Sequence, residues 1–330
     1  MRAFDELSEQ GRIGRLRLLA SDSLREDFDI DALRVSLLAS HSFNTLFRAD
    51  LVAGPSLAVR VGEVRIHADG VEEVEAAWLD ALHADTEIRA PRLFADRHGR
   101  HVTARHQAGV PGRRYCSVMT WVPGRRVRER FDHLTSQRMG VLLANIHDHA
   151  ASYRPPVVPA GIHADRVVYF ADTSRLGEYE SEYGSMFVEA VDRVHRHLDA
   201  LWAAPPHRPH LLHGDFGPQN VMRWRSLLAP IDFQDLQFGF DVQDVGITVA
   251  DLRRVYDDEA LVDALVAGYE SVRRWPLTDQ SLARALDAAR SLNVINLGLN
   301  LRRPGLAEFI DRHAQRVAGW MGLSPRATLI

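Results

Sequence analysis

The hydrophobic pattern of this chain changes its period about one third of the way along, and that change limits the folds open to it. Residues 44–51 and 56–61 alternate apolar and polar side chains as half-buried strands do, with a turn signal at Ala53-Gly54-Pro55 between them. A further strand-like run covers 115–122 and ends at Pro123-Gly124. Beyond it, apolar residues recur at helical spacing. The pattern predicts an α+β protein of two unequal lobes.

The length of the chain and the change in its hydrophobic pattern together set the predicted domain organisation. At 330 residues the chain is long enough for two domains of ordinary size. We predict an N-lobe at 1–123, built on a small β-sheet with a helix, and a mostly helical C-lobe at 124–330. The predicted helices are an opening helix and the stretches 71–82, 134–146, 180–202 and 256–330.

The basic residues narrow the chemistry, because all 40 of them are arginines and the chain contains no lysine. This excludes Schiff-base catalysis, a Ser-Lys dyad and the Walker A loop, each of which needs a lysine nitrogen. The 44 acidic residues leave a net charge of −4. We therefore expect no nucleic-acid partner, since neutralising phosphates requires a basic excess.

Cys116 is the only cysteine, so no intrachain disulfide forms, and its apolar surroundings predict a buried hydrophobic role. Asp5, Glu6 and Glu9 precede any apolar run, unlike the start of a signal peptide, and no run of 18 apolar residues occurs. We expect a cytoplasmic protein with no membrane partner. The sequence leaves its oligomeric state open.

One segment combines polar residues suited to phosphoryl transfer. An apolar strand leads into His213-Gly214-Asp215, Asn220 follows after four intervening residues, and Asp232 returns after a short hairpin. Amide and carboxylate oxygens suit Mg²⁺, which takes few protein ligands and keeps its other positions for water and phosphate oxygens. Asp215 is placed to accept the proton of an attacking hydroxyl. The spacing is that of a kinase catalytic loop followed by its metal-binding Asp-Phe.

This segment resembles the aminoglycoside phosphotransferase and choline kinase-like family of small-molecule kinases. Residues 75–79 are similar to the family's N-lobe helix, 119–124 to its nucleotide hinge, and 243–246 to its downstream aspartate motif. In order and spacing the resemblance covers most of 40–250. It implies a bilobal protein-kinase-like fold, and an enzyme that transfers phosphate from ATP to a hydroxyl with Mg²⁺ as the second cofactor.

The resemblance also implies roles for individual residues. Asp215 is expected to position or deprotonate the acceptor hydroxyl, while Asn220 and Asp232 are expected to hold Mg²⁺ on ATP. The residues expected to contact the nucleotide are Thr120 through its C=O and Val122 through its N–H, Arg60 with its helix partner Glu75, and Ser42 in the phosphate turn.

Two of these positions depart from the pattern of protein kinases. Arg60 replaces the usual phosphate-binding lysine, although a guanidinium grips phosphates bidentately and keeps its charge. The chain has no G-x-G, and the corresponding turn contains Ser42, which is either a phosphate donor or an ordinary turn serine.

Other polar residues in this region are expected to be structural. We interpret His213 as a ring that braces the catalytic loop and Asp244 as a tether for its backbone amides. Asp235 stays ambiguous between support of the loop and the surface. The spacings His210-x-x-His213 and His147-x-His149 are zinc-like, but no further ligand in the sequence completes a site, so we expect no zinc.

The acceptor is predicted to be a small hydroxylated molecule, namely an aminoglycoside or other antibiotic, an amino sugar, or a related metabolite. Only 11 residues separate Asp232 from Asp244 and no Ala-Pro-Glu is present, which disfavours a docking platform for a polypeptide. The stretch 153–205 carries eight acids and five arginines, a net charge of −3 that suits a cationic amino sugar. Two alternatives remain: a Ser/Thr protein kinase of the stress-response type, and a nucleotide-binding pseudokinase regulator.

Overall fold

The structure is a computed structural model that describes residues 2–40, 44–63, 70–168, 174–179, 183–301 and 306–323. The chain divides into two compact units. Unit 1 contains Met1–Gly124 together with Met222–Ile231, and unit 2 contains Arg125–Val221 together with Asp232–Ile330. Within the second half of the sequence, the ten residues of Met222–Ile231 thus cluster with the N-terminal part of the chain.

Ten strands and eight helices occur in the described part of the chain. The strands are β1 (Ala32–Ser40), β2 (Asn44–Leu51), β3 (Leu57–Gly62), β4 (Thr103–Arg105), β5 (Arg114–Thr120), β6 (Arg125–Arg126), β7 (His210–Leu212), β8 (Val221–Trp224), β9 (Leu227–Pro230) and β10 (Gln237–Gly239). The helices are α1 (Glu9–Glu26), α2 (Val71–Asp85), α3 (His133–Ser152), α4 (Gly184–Ala203), α5 (Asp241–Tyr256), α6 (Glu259–Glu270), α7 (Gln280–Leu301) and α8 (Leu306–Met321).

Unit 1 is built on a five-stranded antiparallel sheet with the order β1-β2-β3-β5-β4. The predicted hairpin is confirmed, since β2 pairs with β3 and the turn between them contains Gly54 at φ +94°. β1 was not predicted. Its register with β2 shifts twice, which breaks the strict alternation of side chains that a sequence pattern detects.

The core of unit 1 is formed by the inward-facing side chains of the sheet, which alternate along β2 and β3, together with apolar side chains of α1. Phe47 and Ala49 of β2 and Val59 of β3 are fully buried, and they belong to one apolar cluster with Leu19 and Leu24 of α1. Cys116 on β5 lies in the same cluster, where burial raises the pKa of its thiol to about 12. The thiol is therefore inert at neutral pH, as the apolar surroundings of Cys116 predict.

Unit 2 contains a helix pair in which two backbones touch. A Cβ added to Gly140 of α3 would lie 2.0 Å from the Leu265 carbonyl oxygen of α6, and one added to Gly268 of α6 would lie 1.8 Å from that of Gln137. Only glycine permits such an approach. Asp132 caps the N-terminus of α3, because its side chain accepts a hydrogen bond from the Thr135 N–H at 2.7 Å.

The helical prediction for the C-terminal part of the chain is confirmed where the structure describes it. Helices α6, α7 and α8 fill most of the predicted stretch 256–330. The helix predicted at 180–202 is α4, and residues 180–182 lie outside the described part. Among the described helices, none combines the length and the apolar character that crossing a membrane requires.

We expect the substitution Gly268→Ala to lower the free energy of unfolding by about 2 kcal/mol or more, because its Cβ would overlap the Gln137 carbonyl. The matched control is Gly319→Ala in α8, where an added Cβ meets no atom within 4 Å. That control should be neutral or stabilising by roughly 1 kcal/mol, the helix-propensity gain of alanine over glycine. Chemical denaturation measures both changes, and equal effects would contradict the backbone contact.

Candidate active site

The catalytic-loop segment begins where β7 ends. Gly214 follows at φ +79°, a left-handed conformation that favours glycine, and an added Cβ would lie 1.8 Å from the Asp235 carbonyl oxygen. The chain therefore turns sharply against the segment that follows Asp232. This turn delivers Asp215 next to residues that are distant in sequence.

Donors from two directions hold the carboxylate of Asp215. The Asn220 amide donates to Asp215 Oδ2 at 2.8 Å and to the Asp215 carbonyl oxygen at 3.0 Å. Arg290 of α7 donates to Asp215 Oδ1 at 2.8 Å, and its guanidinium also lies 3.5 Å from Asp235 Oδ2. The Asp215 side chain still retains 22% of its exposure. The carboxylate is thus fixed in orientation and open to a small partner.

Arg290 was missed by the sequence analysis. It lies 75 residues after Asp215 on a helix whose pattern indicates only packing. No local spacing connects the two positions, so only the folded chain reveals the pair.

The charge around Asp215 is dominated by acids. Burial raises the pKa of Asp215, Arg290 opposes that rise, and the nearby carboxylates of Asp235, Asp251 and Asp232 add to it. Several carboxylates in one region repel one another, and a cation relieves that repulsion. The local electrostatics therefore favour a bound cation beside Asp215.

Asn220 and Asp232 supply oxygens of the kind that Mg²⁺ prefers. Asn220 is buried in a 3-10 turn, where its amide nitrogen donates to Asp215, so its Oδ1 is the atom available to a cation. Asp232 sits at φ +66° directly before a second 3-10 turn. An amide oxygen and a carboxylate oxygen beside Asp215 fit a divalent cation with few protein ligands.

Asp244 tethers the catalytic loop, as its position in the sequence suggests. Its fully buried carboxylate accepts from the His213 N–H at 2.9 Å and from the Gly214 N–H at 3.0 Å. His147 of α3 contacts the same carboxylate through Nε2 at 3.1 Å. The His213 ring packs 4.4 Å from that of Phe233, which agrees with a bracing role.

The predicted phosphate-binding pair lies in unit 1. Arg60 of β3 approaches Glu75 of α2 with Nη2 and Oε2 3.9 Å apart, and its Nε donates to the Ser117 hydroxyl at 3.2 Å. Arg60 and Glu75 are both buried. The strand arginine thus occupies the relation to the helix glutamate that a strand lysine has in kinases. Ser42, the predicted phosphate donor, lies outside the described residues.

The predicted hinge residues also lie in unit 1, at the end of β5. Two hydrogen bonds with the backbone of Arg92 fix Thr120: its N–H donates to the Arg92 carbonyl oxygen and its hydroxyl accepts from the Arg92 N–H, each at 2.9 Å. Thr120 and Val122 line a cavity of about 320 Å³, and two tryptophans also belong to its lining. Its lining is completed by His83, Arg89, Ala90, Trp121, Pro123, Trp224, Leu227 and Ala229.

Comparison with known proteins relates the chain to phosphate-transferring enzymes. The sequence model of the phosphotransferase enzyme family matches residues 35–281. No curated protein sequence matches the chain.

Many solved structures share the fold, and three of them illustrate it. The amicoumacin kinase hAmiN, in complex with AMP-PNP, Ca²⁺ and Ami, has a TM-score of 0.71 at 16% identity, covering 96% of this chain and 98% of its own. A microcompartment-associated aminopropanol kinase has a TM-score of 0.64 at 22% identity, covering 94% and 95%. Aminoglycoside phosphotransferase APH(4)-Ia, with ADP and hygromycin B, has a TM-score of 0.60 at 15% identity, covering 93% and 98%. The predicted kinase-like α+β fold is confirmed.

We expect Asp244→Asn to loosen the catalytic loop, because one amide oxygen replaces two carboxylate oxygens that serve three donors. The free energy of unfolding should fall by about 1–3 kcal/mol, the cost of leaving a buried donor unpaired. Hydrogen–deuterium exchange of the peptide containing His213 and Gly214 should become faster. Asp192→Asn, at an exposed position of α4, is the control. Unchanged exchange in Asp244→Asn would show that the tether is dispensable.

Proposed function

The chain belongs to the phosphotransferase enzyme family. From this premise we propose that it moves the γ-phosphate of ATP to a hydroxyl of a small molecule. The observation that carries the proposal is the fixed carboxylate of Asp215, which Asn220 and Arg290 orient. Asp232 lies close enough to affect the pKa of this carboxylate. The proposed catalytic base and the oxygens proposed to bind the metal thus occur together.

Asp215 has the role of catalytic base in this proposal. The hydrogen bond from Asn220 fixes Oδ2 and the contact with Arg290 fixes Oδ1, so the carboxylate cannot rotate freely. Because the carboxylate is already aligned, it can accept a proton from an acceptor hydroxyl without a further loss of conformational entropy. Positioning of this kind is the main protein contribution in phosphoryl transfer, whose transition state is loose.

Asn220 and Asp232 are proposed to hold Mg²⁺. Their amide and carboxylate oxygens match its preference, and the surrounding carboxylates provide negative charge for it. When bound, Mg²⁺ supplies neutralisation of the charge on the nucleotide phosphates.

The nucleotide is proposed to bind through unit 1. Thr120 would contact adenine through its C=O and Val122 through its N–H, which is consistent with the use of the Thr120 N–H by Arg92. Arg60 would hold phosphate, and its contacts with Glu75 and Ser117 pre-align the guanidinium. Ser42 stays a prediction as a further phosphate donor.

The acceptor is proposed to be an aminoglycoside or other antibiotic, an amino sugar or amino alcohol, or a related metabolite. The kinases that share the fold are named for amicoumacin, aminopropanol and aminoglycosides. The acidic stretch 153–205 favours a cationic molecule among these. The acceptor that proves active will decide between a role in resistance and a role in metabolism.

The proposal predicts Mg²⁺-dependent consumption of ATP with at least one acceptor in a panel of aminoglycosides, aminocyclitols, peptide antibiotics and amino alcohols. Asp215→Asn should reduce turnover by about 10²–10⁴-fold, the usual contribution of a catalytic base. Binding of a fluorescent ATP analogue should persist in that variant, and Asp192→Asn should behave as wild type. Turnover in Asp215→Asn equal to wild type would contradict the base role, and no turnover with any acceptor would contradict the substrate class.

Arg60 provides a separate test of the nucleotide site. We expect Arg60→Ala to raise the KM for ATP at least about tenfold, because a buried charge-assisted contact with phosphate is lost. Arg60→Lys should retain substantial activity if the cation only holds phosphate. Arg34→Ala, on the exposed side of β1, is the control for loss of an arginine. Thermal unfolding of each variant separates loss of binding from loss of the fold, and a normal KM in folded Arg60→Ala would show that another residue holds the phosphate.

A further inference from the structure

Three side chains of unit 2 converge at a point separate from Asp215, Asn220 and Asp232. His207 lies just before β7, His210 is the first residue of β7, and Asp241 is the first residue of α5. Each offers one ligand atom, and these three atoms all lie within 4.8 Å of one another. The sequence spacing paired His210 with His213 and predicted no zinc site, whereas the fold brings His210 together with His207 and Asp241.

The distances suit a small coordination sphere. His210 Nε2 lies 2.8 Å from Asp241 Oδ1, and His207 Nε2 lies 3.3 Å from Asp241 Oδ2. Tetrahedral zinc, with bonds of about 2.0–2.1 Å, places its ligand atoms roughly 3.3 Å apart. A small adjustment of side chains therefore brings the donors to coordinating positions.

Buried polar atoms at this point lack hydrogen-bond partners in the part of the chain that the structure describes. His210 is 2% exposed and Asp241 is 3% exposed. Within the described ranges, neither ring nitrogen of His210 makes a hydrogen bond, nor does Asp241 Oδ1, although His210 Nε2 and Asp241 Oδ1 are 2.8 Å apart. The pair is close but not aligned for a hydrogen bond. A buried polar atom without a partner lowers the stability of the fold, and one cation bound to both His210 Nε2 and Asp241 Oδ1 would give each of them a partner.

Neighbouring groups orient two of the donors. His207 Nδ1 donates to the Arg208 carbonyl oxygen at 2.9 Å, so Nε2, which faces Asp241, is the nitrogen placed to bind a metal. Arg273 donates to Asp241 Oδ2 at 2.8 Å, so Oδ1 is the oxygen open to a metal. The His207 side chain retains 33% of its exposure and gives an ion access from solvent.

His147 is nearby but has other partners. Its Nδ1 lies 3.4 Å from Asp241 Oδ1, but that nitrogen contacts the Tyr269 hydroxyl at 2.8 Å and its Nε2 contacts Asp244. Among the described residues we therefore count three protein ligands, and we leave the fourth position to water, as in zinc sites with three protein donors.

We propose that His207, His210 and Asp241 bind one divalent transition-metal ion of the zinc class. The site is independent of the proposed kinase function and of any Mg²⁺ at Asn220 and Asp232. Nitrogen donors select such an ion over Mg²⁺, which prefers oxygen. The ion would join the segment that precedes the catalytic loop to the start of α5, three residues before Asp244.

The test uses untagged, full-length protein, first treated with a chelator and then dialysed into excess Mg²⁺ to occupy oxygen-rich sites. Titration with Zn²⁺ by calorimetry should give one ion per chain, and Co²⁺ should produce a visible absorption band that Zn²⁺ abolishes. Zn²⁺ should also raise the thermal unfolding midpoint. All three readouts are independent of phosphotransferase activity.

His207→Ala and His210→Ala should each weaken Zn²⁺ binding by on the order of 100-fold and remove the shift in unfolding midpoint. His133→Ala, at an exposed position on α3, is the control and should bind as wild type. His207 is partly exposed, so its variant keeps the test valid if His210→Ala fails to fold. Absence of stoichiometric binding to wild type, or equal affinity in folded His207→Ala, would overturn the proposal.

Discussion

The arrangement of unit 2 depends on one buried carboxylate, that of Asp244. It accepts hydrogen bonds from the backbone of His213 and Gly214, and it contacts the ring of His147. The Thr248 hydroxyl, one turn along α5, bridges the carbonyl oxygens of Asp244 and Phe216. The loop that carries Asp215, the start of α5 and the middle of α3 are therefore held by a single group that solvent does not reach.

The carboxylates of Asp244 and Asp215 show how the surroundings of an aspartate side chain decide the direction of its pKa shift. Burial alone would raise the pKa of Asp244, but the hydrogen bond from His147 and the donors of the loop outweigh it, so its pKa is lowered. Asp215 has a net shift in the opposite direction, because burial and acidic neighbours outweigh Arg290. The tether stays charged and static. At Asp215, by contrast, the negative charge of the neighbouring carboxylates favours a bound cation.

Much of this could be predicted from the sequence because the signals are local. The hairpin of β2 and β3, the helix α2 and the segment from His213 to Asp232 are each encoded in a short stretch with a clear period or spacing. β1 escaped prediction because its bulges disturb the alternation. The pairing of Arg290 with Asp215 and of Asp241 with the histidines joins residues far apart in sequence, which no period records.

The domain boundary and the site roles rest on different grounds. The sequence places 124–330 in one lobe, while Met222–Ile231 clusters with the N-terminal unit, a relation that depends on packing alone. Asp215, Asn220 and Asp232 come together, as do Arg60 and Glu75, but their roles stay predictions. Ser42 stays a prediction outside the described residues.

The backbone contact between α3 and α6 has a consequence for how this protein can diversify. Gly268 precedes Tyr269, and the Tyr269 hydroxyl lies 2.8 Å from His147, which contacts Asp244. A side chain that separated the two helices would move this tyrosine and, through it, the support of the catalytic loop. Selection for a new acceptor therefore has little freedom at Gly140 and Gly268, although neither touches the reacting atoms. Sequence drift in this lineage should accumulate on the outer faces of the helices and spare the line where they meet.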